Sequence, residues 1–309
     1  MFNIVAPREI ICIVPASLIV VNRTSGLGWG AHAHQRALDA IAAAGPTALV
    51  ETAPGDVTAQ VRAALTAGTT RVYACGGDGT VASVAGAIMD SPVELAILPF
   101  GTTNVVAREI GLSMRPARAA RQLLDSRRTT DFRMWRINDE LGVLGGGVGW
   151  DARVMHVVPL RLKRRFGRVA VATYGLREVV SYDFPRLRVT GEDERGATVT
   201  LNGSQLIAAN VQRWAGANRG IPGADPTDDL LDVVVNSSRS RVQALAFWSL
   251  MALPGGRPLS LPGVQRTRLR RLTVVSESGR PVEAHANGEG SLWTPFAVEP
   301  AGLVRVVLP

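Results

Sequence analysis

The segment Gly76-Gly77-Asp78-Gly79-Thr80 packs three glycines, a carboxylate and a hydroxyl into five residues. It lies between an apolar run at Arg71–Cys75 and a stretch with helical spacing. Glycines let the backbone approach phosphate oxygens and present N–H groups to them, and a helix starting there adds the positive end of its dipole. Asp78 has two chemical uses in such a turn: holding a phosphate-bound magnesium, or orienting the hydroxyl that accepts a phosphate. The plain alternative is an ordinary strand-to-helix turn that Asp78 caps. It is not a P-loop, because no Lys-Ser/Thr pair follows the glycines.

A second turn of this kind follows in Ala96–Gly111, where Pro99 stops a strand and Gly101 allows a tight turn. Thr102, Thr103 and Asn104 then gather small hydrogen-bonding side chains at the next helix start, which read equally well as an N-cap cluster. Two such turns in adjacent strand–helix units face one crevice at the carboxyl ends of a parallel sheet, where open α/β folds place ligands.

The elements needed to position them are visible in the pattern. Strands are predicted at Leu18–Asn22, Thr47–Thr52, Arg71–Cys75 and Leu95–Pro99. Between them lie helices at His32–Ala44, from an Asp56 cap to Ala67, and at Thr80–Met89, with another from about Asn104. Such alternation implies βαβ units and right-handed crossovers. After Asp131 Val-, Leu- and Arg-rich segments follow one another: Ile137–Gly149, Leu187–Thr200, Leu230–Asn236, Leu269–Val275 and Leu303–Leu308. Helical interludes fall around Gly167–Val180 and Gln243–Ala252. The expected architecture is an N-terminal α/β domain with a parallel sheet and a C-terminal antiparallel β-sandwich domain. The expected division is 1–133 plus about 291–309, and 134–290.

The three segments Val21–Gly26, Gly76–Thr80 and Leu98–Glu109 resemble the nucleotide-site signatures of the diacylglycerol kinase catalytic family, which includes bacterial lipid kinases and sphingosine kinases. The likeness continues through Gly145–Val154, Gly220–Val235 and His285–Gly290, in order, over most of the chain. It implies ATP bound between the two domains, with the last strand returning to the first domain. Asn22, Thr52, Gly76, Gly77, Gly79, Thr80, Thr102 and Asn104 would then surround the nucleotide, and Asp78 would act close to the transferred phosphate. Glu289 would be the general base for the acceptor hydroxyl, with Asp151 as a second candidate. Read without the resemblance, Glu289 is equally a solvated turn residue and Asp151 a helix cap.

Some bacterial members hold a structural magnesium at a matching acidic segment, which implies Asp228 with the carbonyls of Asp225 and Leu230 here; hard oxygen ligands suit that ion. A solvated acidic turn is the alternative. Two departures stand out. Asn287 replaces the aspartate of the family's Asp-Gly-Glu, and Asp229 replaces the glycine after Asp228, while the usual glycine run reads Ala215-Gly216-Ala217.

The net charge of +8 favours an anionic partner without choosing one. No nucleic-acid motif accompanies it, so a nucleic-acid module is set aside. The densest basic run, Arg161–Arg168, is either a solvated face or a dock for anionic headgroups. Apolar Ala244–Leu253, with Phe247 and Trp248, reads as an acyl-chain lining or as core. Cys12 and Cys75 show no metal spacing and fit a reducing cytoplasm. The four histidines show no metal spacing either. The longest apolar runs, Ile10–Val21 and Val242–Leu253, fall short of the roughly 20 residues that span a bilayer. Residues before Leu18 add little to the pattern, which leaves room for a later start codon.

The expected activity is thus phosphate transfer from ATP with Mg2+ to a lipid hydroxyl by a cytoplasmic protein peripheral at an anionic membrane. The resemblance also makes a homodimer reasonable. The rivals are a soluble-substrate kinase like NAD kinase and a catalytically silent binding protein, for which Asn287 is the clue.

Overall fold

The computed structural model describes residues 16–22, 31–214, 218–253 and 255–309. Cys12, residues 23–26 of the first signature segment and Ala215-Gly216-Ala217 lie outside the described residues.

The first half alternates as its periodicity dictates. Strand β1 (Ser17–Val21), helix α1 (Ala31–Ala43), β2 (Thr47–Glu51), α2 (Val57–Ala64), β3 (Arg71–Gly76), α3 (Asp78–Ile88) and β4 (Glu94–Pro99) follow in turn. Then come α4 (Val105–Glu109) and α5 (Pro116–Asp125). Asp56 caps α2 by accepting from Ala59 N at 3.0 Å, and Pro116 stands at the first position of α5, where it costs no hydrogen bond. Strands β2, β1, β3 and β4 pair in parallel in that order. β3 and β4 are buried along nearly their whole length, as a parallel sheet covered by helices on both faces requires.

The second half is mostly antiparallel. It contains β5 (Thr129–Ile137), β6 (Glu140–Gly142), β7 (Gly145–Val148), α6 (Trp150–Val157), α7 (Leu160–Phe166) and α8 (Arg168–Glu178). β8 (Leu187–Asp193), β9 (Thr198–Gly203), β10 (Gln205–Ala209), β11 (Leu231–Asn236) and α9 (Arg241–Ala252) come next. Last are β12 (Val264–Ser276), β13 (Glu283–Ala286), β14 (Glu289–Trp293) and β15 (Phe296–Val307). One hydrogen-bonded path runs β14-β13-β7-β10-β11-β12-β15-β4-β3-β1-β2. β15 is the splice: its first residues pair antiparallel with β12, while Arg305 and Val306 pair in parallel with Glu94 and Leu95 of β4. One large core lies around the parallel sheet and a second fills the sandwich, including Trp135, Val148, Leu206, Val233 and Phe296.

Two local readings gain detail. The helix expected at Gly167–Val180 is preceded by two others, and Gly167 itself, at φ 52°, separates α7 from α8. Phe247 and Met251 of α9 are buried against Ile207, Trp214 and Ile221, so that face is core.

Candidate active site

The two glycine turns are fused into one platform. Phe100 N and Gly101 N both donate to Gly76 O at 3.1 Å, drawing the start of the second turn onto the end of β3. A Cβ on Gly101 would stand 2.4 Å from Gly77 Cα, so only glycine permits this approach. Asn104 takes the left-handed conformation (φ 47°) and closes the turn on itself: Oδ1 accepts from Gly101 N at 2.9 Å and Nδ2 donates to Gly101 O at 2.8 Å. Asn tolerates that backbone region better than most residues.

Asp78 ties the two turns together. Its Oδ1 accepts from Val106 N and its Oδ2 from Thr103 Oγ1, both at 3.1 Å. The residue therefore caps a helix, but it caps α4 across the crevice rather than α3, to which it belongs. Desolvation pushes its pKa above the ordinary carboxylate value, against the pull of the backbone donors at Val105 and Val106, Thr103 and the charge of Arg108. The amino end of α3 carries no side-chain cap. Thr80 accepts from Asn22 Nδ2 at 3.1 Å, which brings the end of β1 to the same edge. Thr52 N donates to Val21 O at 2.9 Å, so Thr52 sits at the end of β2 on that edge too.

The opposite wall is the β13–β14 turn. Asn287 is left-handed (φ 52°) and its side chain is consumed by backbone: Oδ1 accepts from Val143 N (3.1 Å) and Leu144 N (3.2 Å), and Nδ2 donates to Leu141 O (3.0 Å). This network assigns the amide orientation, since only nitrogen can meet the carbonyl. Lys163 Nζ donates to Gly288 O at 2.7 Å. The turn aims the exposed Glu289 across the cleft: a Cβ built on Gly79 would lie 3.6 Å from Glu289 Oε1. Asp151 and Glu289 are not brought together by direct contact. Asp151 lies in the first turn of α6 and its Oδ2 meets His285 Nε2 at 3.0 Å, both residues buried. His285 opens the segment His285–Gly290, but nothing local marks its pairing with Asp151, which lies 134 residues away.

Glu109, at the end of the second motif, is also held from afar: it accepts from Gln212 N at 3.2 Å and pairs with Arg213 at 3.6 Å.

The acidic turn at 225–230 is occupied by protein groups. Asp228 Oδ1 accepts from Leu230 N at 2.9 Å, and Oδ2 is paired with Arg268. Asp225 Oδ1 accepts from Thr227 N at 2.9 Å and Thr227 Oγ1 at 2.7 Å. Asp229 pairs with Arg133 and, at 3.9 Å, with Arg270. Among the described residues no three His, Cys, Asp or Glu side chains are grouped to hold a metal. With a guanidinium already on Asp228, this donor set does not fit magnesium, which needs free oxygen ligands in octahedral array.

The family profile described as "Diacylglycerol kinase catalytic domain" matches residues 16–135. That described as "YegS C-terminal NAD kinase beta sandwich-like domain" matches residues 146–307. A "Diacylglycerol kinase" of Mycobacterium tuberculosis is 28% identical over 250 residues, covering 78% of each chain. A "Probable lipid kinase YegS-like" of Pseudomonas aeruginosa is 30% identical over 258 residues, covering 82% of each. Among curated relatives the aligned stretch is 40% of the relative's own length in one from Synechocystis and 82% in the one from Pseudomonas aeruginosa. The fold is shared with a crystal structure of a putative diacylglycerol kinase from Bacillus anthracis, at a TM-score of 0.75 and 20% identity over 95% of both chains.

Proposed function

The chain belongs to the diacylglycerol kinase family with a YegS-type second domain, and from that premise we propose that it transfers the γ-phosphate of ATP to a lipid hydroxyl, diacylglycerol or a close relative. One observation carries the reading: the Glu289 carboxylate, unengaged by any protein donor among the described residues, faces Gly79 of the fused glycine platform. A phosphate seated on the platform would meet N–H groups at the uncapped start of α3, with Asn22, Thr80, Thr102 and Asn104 around it. Mg2+ enters with ATP as part of the substrate and neutralises phosphate charge.

In the transfer, the acceptor oxygen bonds to the γ-phosphorus as the bond to the β–γ bridging oxygen breaks. ADP leaves, and the acceptor proton passes to Glu289. Asp78 acts at one remove. It holds the α4 loop against the glycines, so the platform keeps its shape while phosphate charge arrives. Asp151, paired with His285, stiffens the wall beneath the β13–β14 turn.

The catalytically silent alternative rested on Asn287. The Asn287 side chain is a backbone clamp, its amide spent on Leu141, Val143 and Leu144, so its lack of charge does not count against activity. The test is transfer from γ-labelled ATP to a panel of lipids in mixed micelles, with NAD as a soluble acceptor. Labelled lipid is expected with wild type, and Glu289→Ala should lower the rate by about 10²–10⁴-fold. Labelled NAD, or no labelled acceptor at all, would sink the lipid reading.

A further inference from the structure

The two walls of the cleft come from different halves of the chain, and one short segment after β10 is bonded to both. Ala209, the last residue of β10, packs with Ile207 and Trp214, whereas Val211 is buried in the core around the parallel sheet. Asn210 stands between them with no exposed surface.

Every polar atom of the Asn210 side chain is spent. Oδ1 accepts from Trp135 Nε1 at 2.8 Å, and Nδ2 donates to Val143 O at 2.7 Å and to Arg133 O at 3.1 Å. Its backbone N–H donates to Leu144 O at 3.0 Å. Val143 and Leu144 are also the residues whose N–H groups Asn287 accepts. Their peptides are thus gripped from both sides, the donors by Asn287 and the acceptors by Asn210. Asn287 stands two residues before Glu289, so the place of that carboxylate is tied through Val143 and Leu144 to Asn210.

The same segment then reaches the other wall. Gln212 N donates to Glu109 Oε1 at 3.2 Å, and Arg213 Nε lies 3.6 Å from Glu109 Oε2. Glu109 is the last residue of α4, the helix whose start Asp78 caps, so two carboxylates hold this short helix at its two ends. Burial pushes the Glu109 pKa up, against the pull of the Gln212 N–H and the charges of Arg213 and Arg219.

We propose that Asn210–Arg213 is the spacer that sets Glu289 opposite the glycine platform, with Asn210 as positioning residue on the Glu289 side and Glu109 on the platform side. The proposal rests on the kinase reading, whose base it holds in place. Both residues act through others: Asn210 through Asn287, and Glu109 through α4. Transfer geometry is sensitive to such support, since a misplacement of about 1 Å can cost on the order of 10²-fold in rate.

Glu109 is the better handle for a test, because loss of Asn210 would strand Trp135 Nε1 and two carbonyls in the core. Glu109→Gln keeps an acceptor for the Gln212 N–H, and Glu109→Ala removes it. The measurements are phosphotransfer from γ-labelled ATP to diacylglycerol in mixed micelles, and ATP affinity without lipid, each with and without Glu289→Ala. Glu109→Ala should lower kcat by about 10- to 100-fold and Glu109→Gln by less than about threefold, with the Kd for ATP unchanged in both. In the Glu289→Ala background the further loss from Glu109→Ala should shrink below about threefold, because no base remains to be misplaced. An undiminished kcat in Glu109→Ala, or an equal loss in both backgrounds, overturns the proposal. So does ATP affinity that falls in step with kcat, which would assign Glu109 to the platform alone. If wild type does not label diacylglycerol, the kinase reading loses its acceptor and hydrogen exchange decides on the spacer. The Val143 and Leu144 amides should then exchange at least about tenfold faster in Glu109→Ala but not in Glu109→Gln. Unchanged exchange at both amides overturns the spacer whatever the activity.

Discussion

The glycine cleft and the acidic turn at Asp225–Asp232 both gather carboxylates at strand ends, but they settle that charge in different ways. In the cleft, Asp78 is met by neutral donors, Thr103 Oγ1 and Val106 N–H, and by backbone approach that only glycine allows. In the turn, Asp228, Asp229 and Asp232 each face arginines from strands β5 and β12: Arg268, Arg133 with Arg270, and Arg266. A site built of amide dipoles can take on an incoming anion. A site already neutralised by guanidinium groups has little left to offer a cation. The two regions therefore lead to opposite expectations for ligands, and each can be tested by removing the feature that distinguishes it.

The largest effect is expected at the closest backbone approach. Gly101→Ala places a Cβ 2.4 Å from Gly77 Cα and 2.8 Å from Asn104 Oδ1, so the two turns must part. The cost should be about 1–3 kcal/mol in urea unfolding, with ATP affinity lost together with the platform. Gly45→Ala, which meets nothing within 4 Å, is the control and should stay within about 0.5 kcal/mol.

Next in size is Asn287→Asp. It restores the charge that the family pattern expects, yet it turns a carboxylate oxygen toward Leu141 O, where Nδ2 now donates at 3.0 Å. Loss of that donor should destabilise by about 1–3 kcal/mol and give no gain in phosphotransfer. A stabler or more active Asn287→Asp protein would show that the clamp has been misread.

These two residues also show what the sequence could and could not disclose. The glycine turns were legible because a turn's shape is decided within a few residues, by Gly, Asn and Thr at set places. The parallel half was legible for the same reason, through the period of its apolar residues. Partners brought from far along the chain were not. Asn287 reaches residues 143 to 146 positions away, and His285 meets Asp151 at a separation of 134. The joining of both halves into one sheet depends on β15 serving β12, β5 and β4 at once, which no local pattern announces.

A smaller effect should appear in the pH dependence of Asp78. Its folded pKa is raised, so the native state holds a proton that the unfolded chain releases at the ordinary value. By linkage, its contribution to stability is full below the unfolded pKa and is lost as pH rises through the folded pKa, then stays flat. Asn at this position keeps an acceptor for Val106 N–H and a partner for the rotatable Thr103 hydroxyl, but does not titrate. Stability of Asp78→Asn relative to wild type, followed by urea unfolding across pH, should therefore rise through that window. A parallel pair of curves would mean that the carboxylate is ionised without penalty in the fold.

The smallest effect separates the turn from the cleft most sharply. Because Arg268 occupies Asp228 Oδ2 and Leu230 N occupies Oδ1, Mg2+ in place of EDTA should leave the thermal midpoint of the nucleotide-free protein unchanged. Arg268→Gln should cost less than about 1 kcal/mol, since both partners of that pair are partly in water. The informative change is in ligand response. Asp228 Oδ2 would then be free beside Asp229, and the variant should gain a Mg2+-dependent rise in midpoint that wild type lacks. If wild type already gains stability from Mg2+ without nucleotide, the cation displaces the guanidinium, and the turn is an ion site of the kind the family resemblance implies. If neither protein responds, Arg133 and Arg270 on Asp229 suffice to keep the turn neutral, and the arginines of β5 and β12 hold it without Arg268.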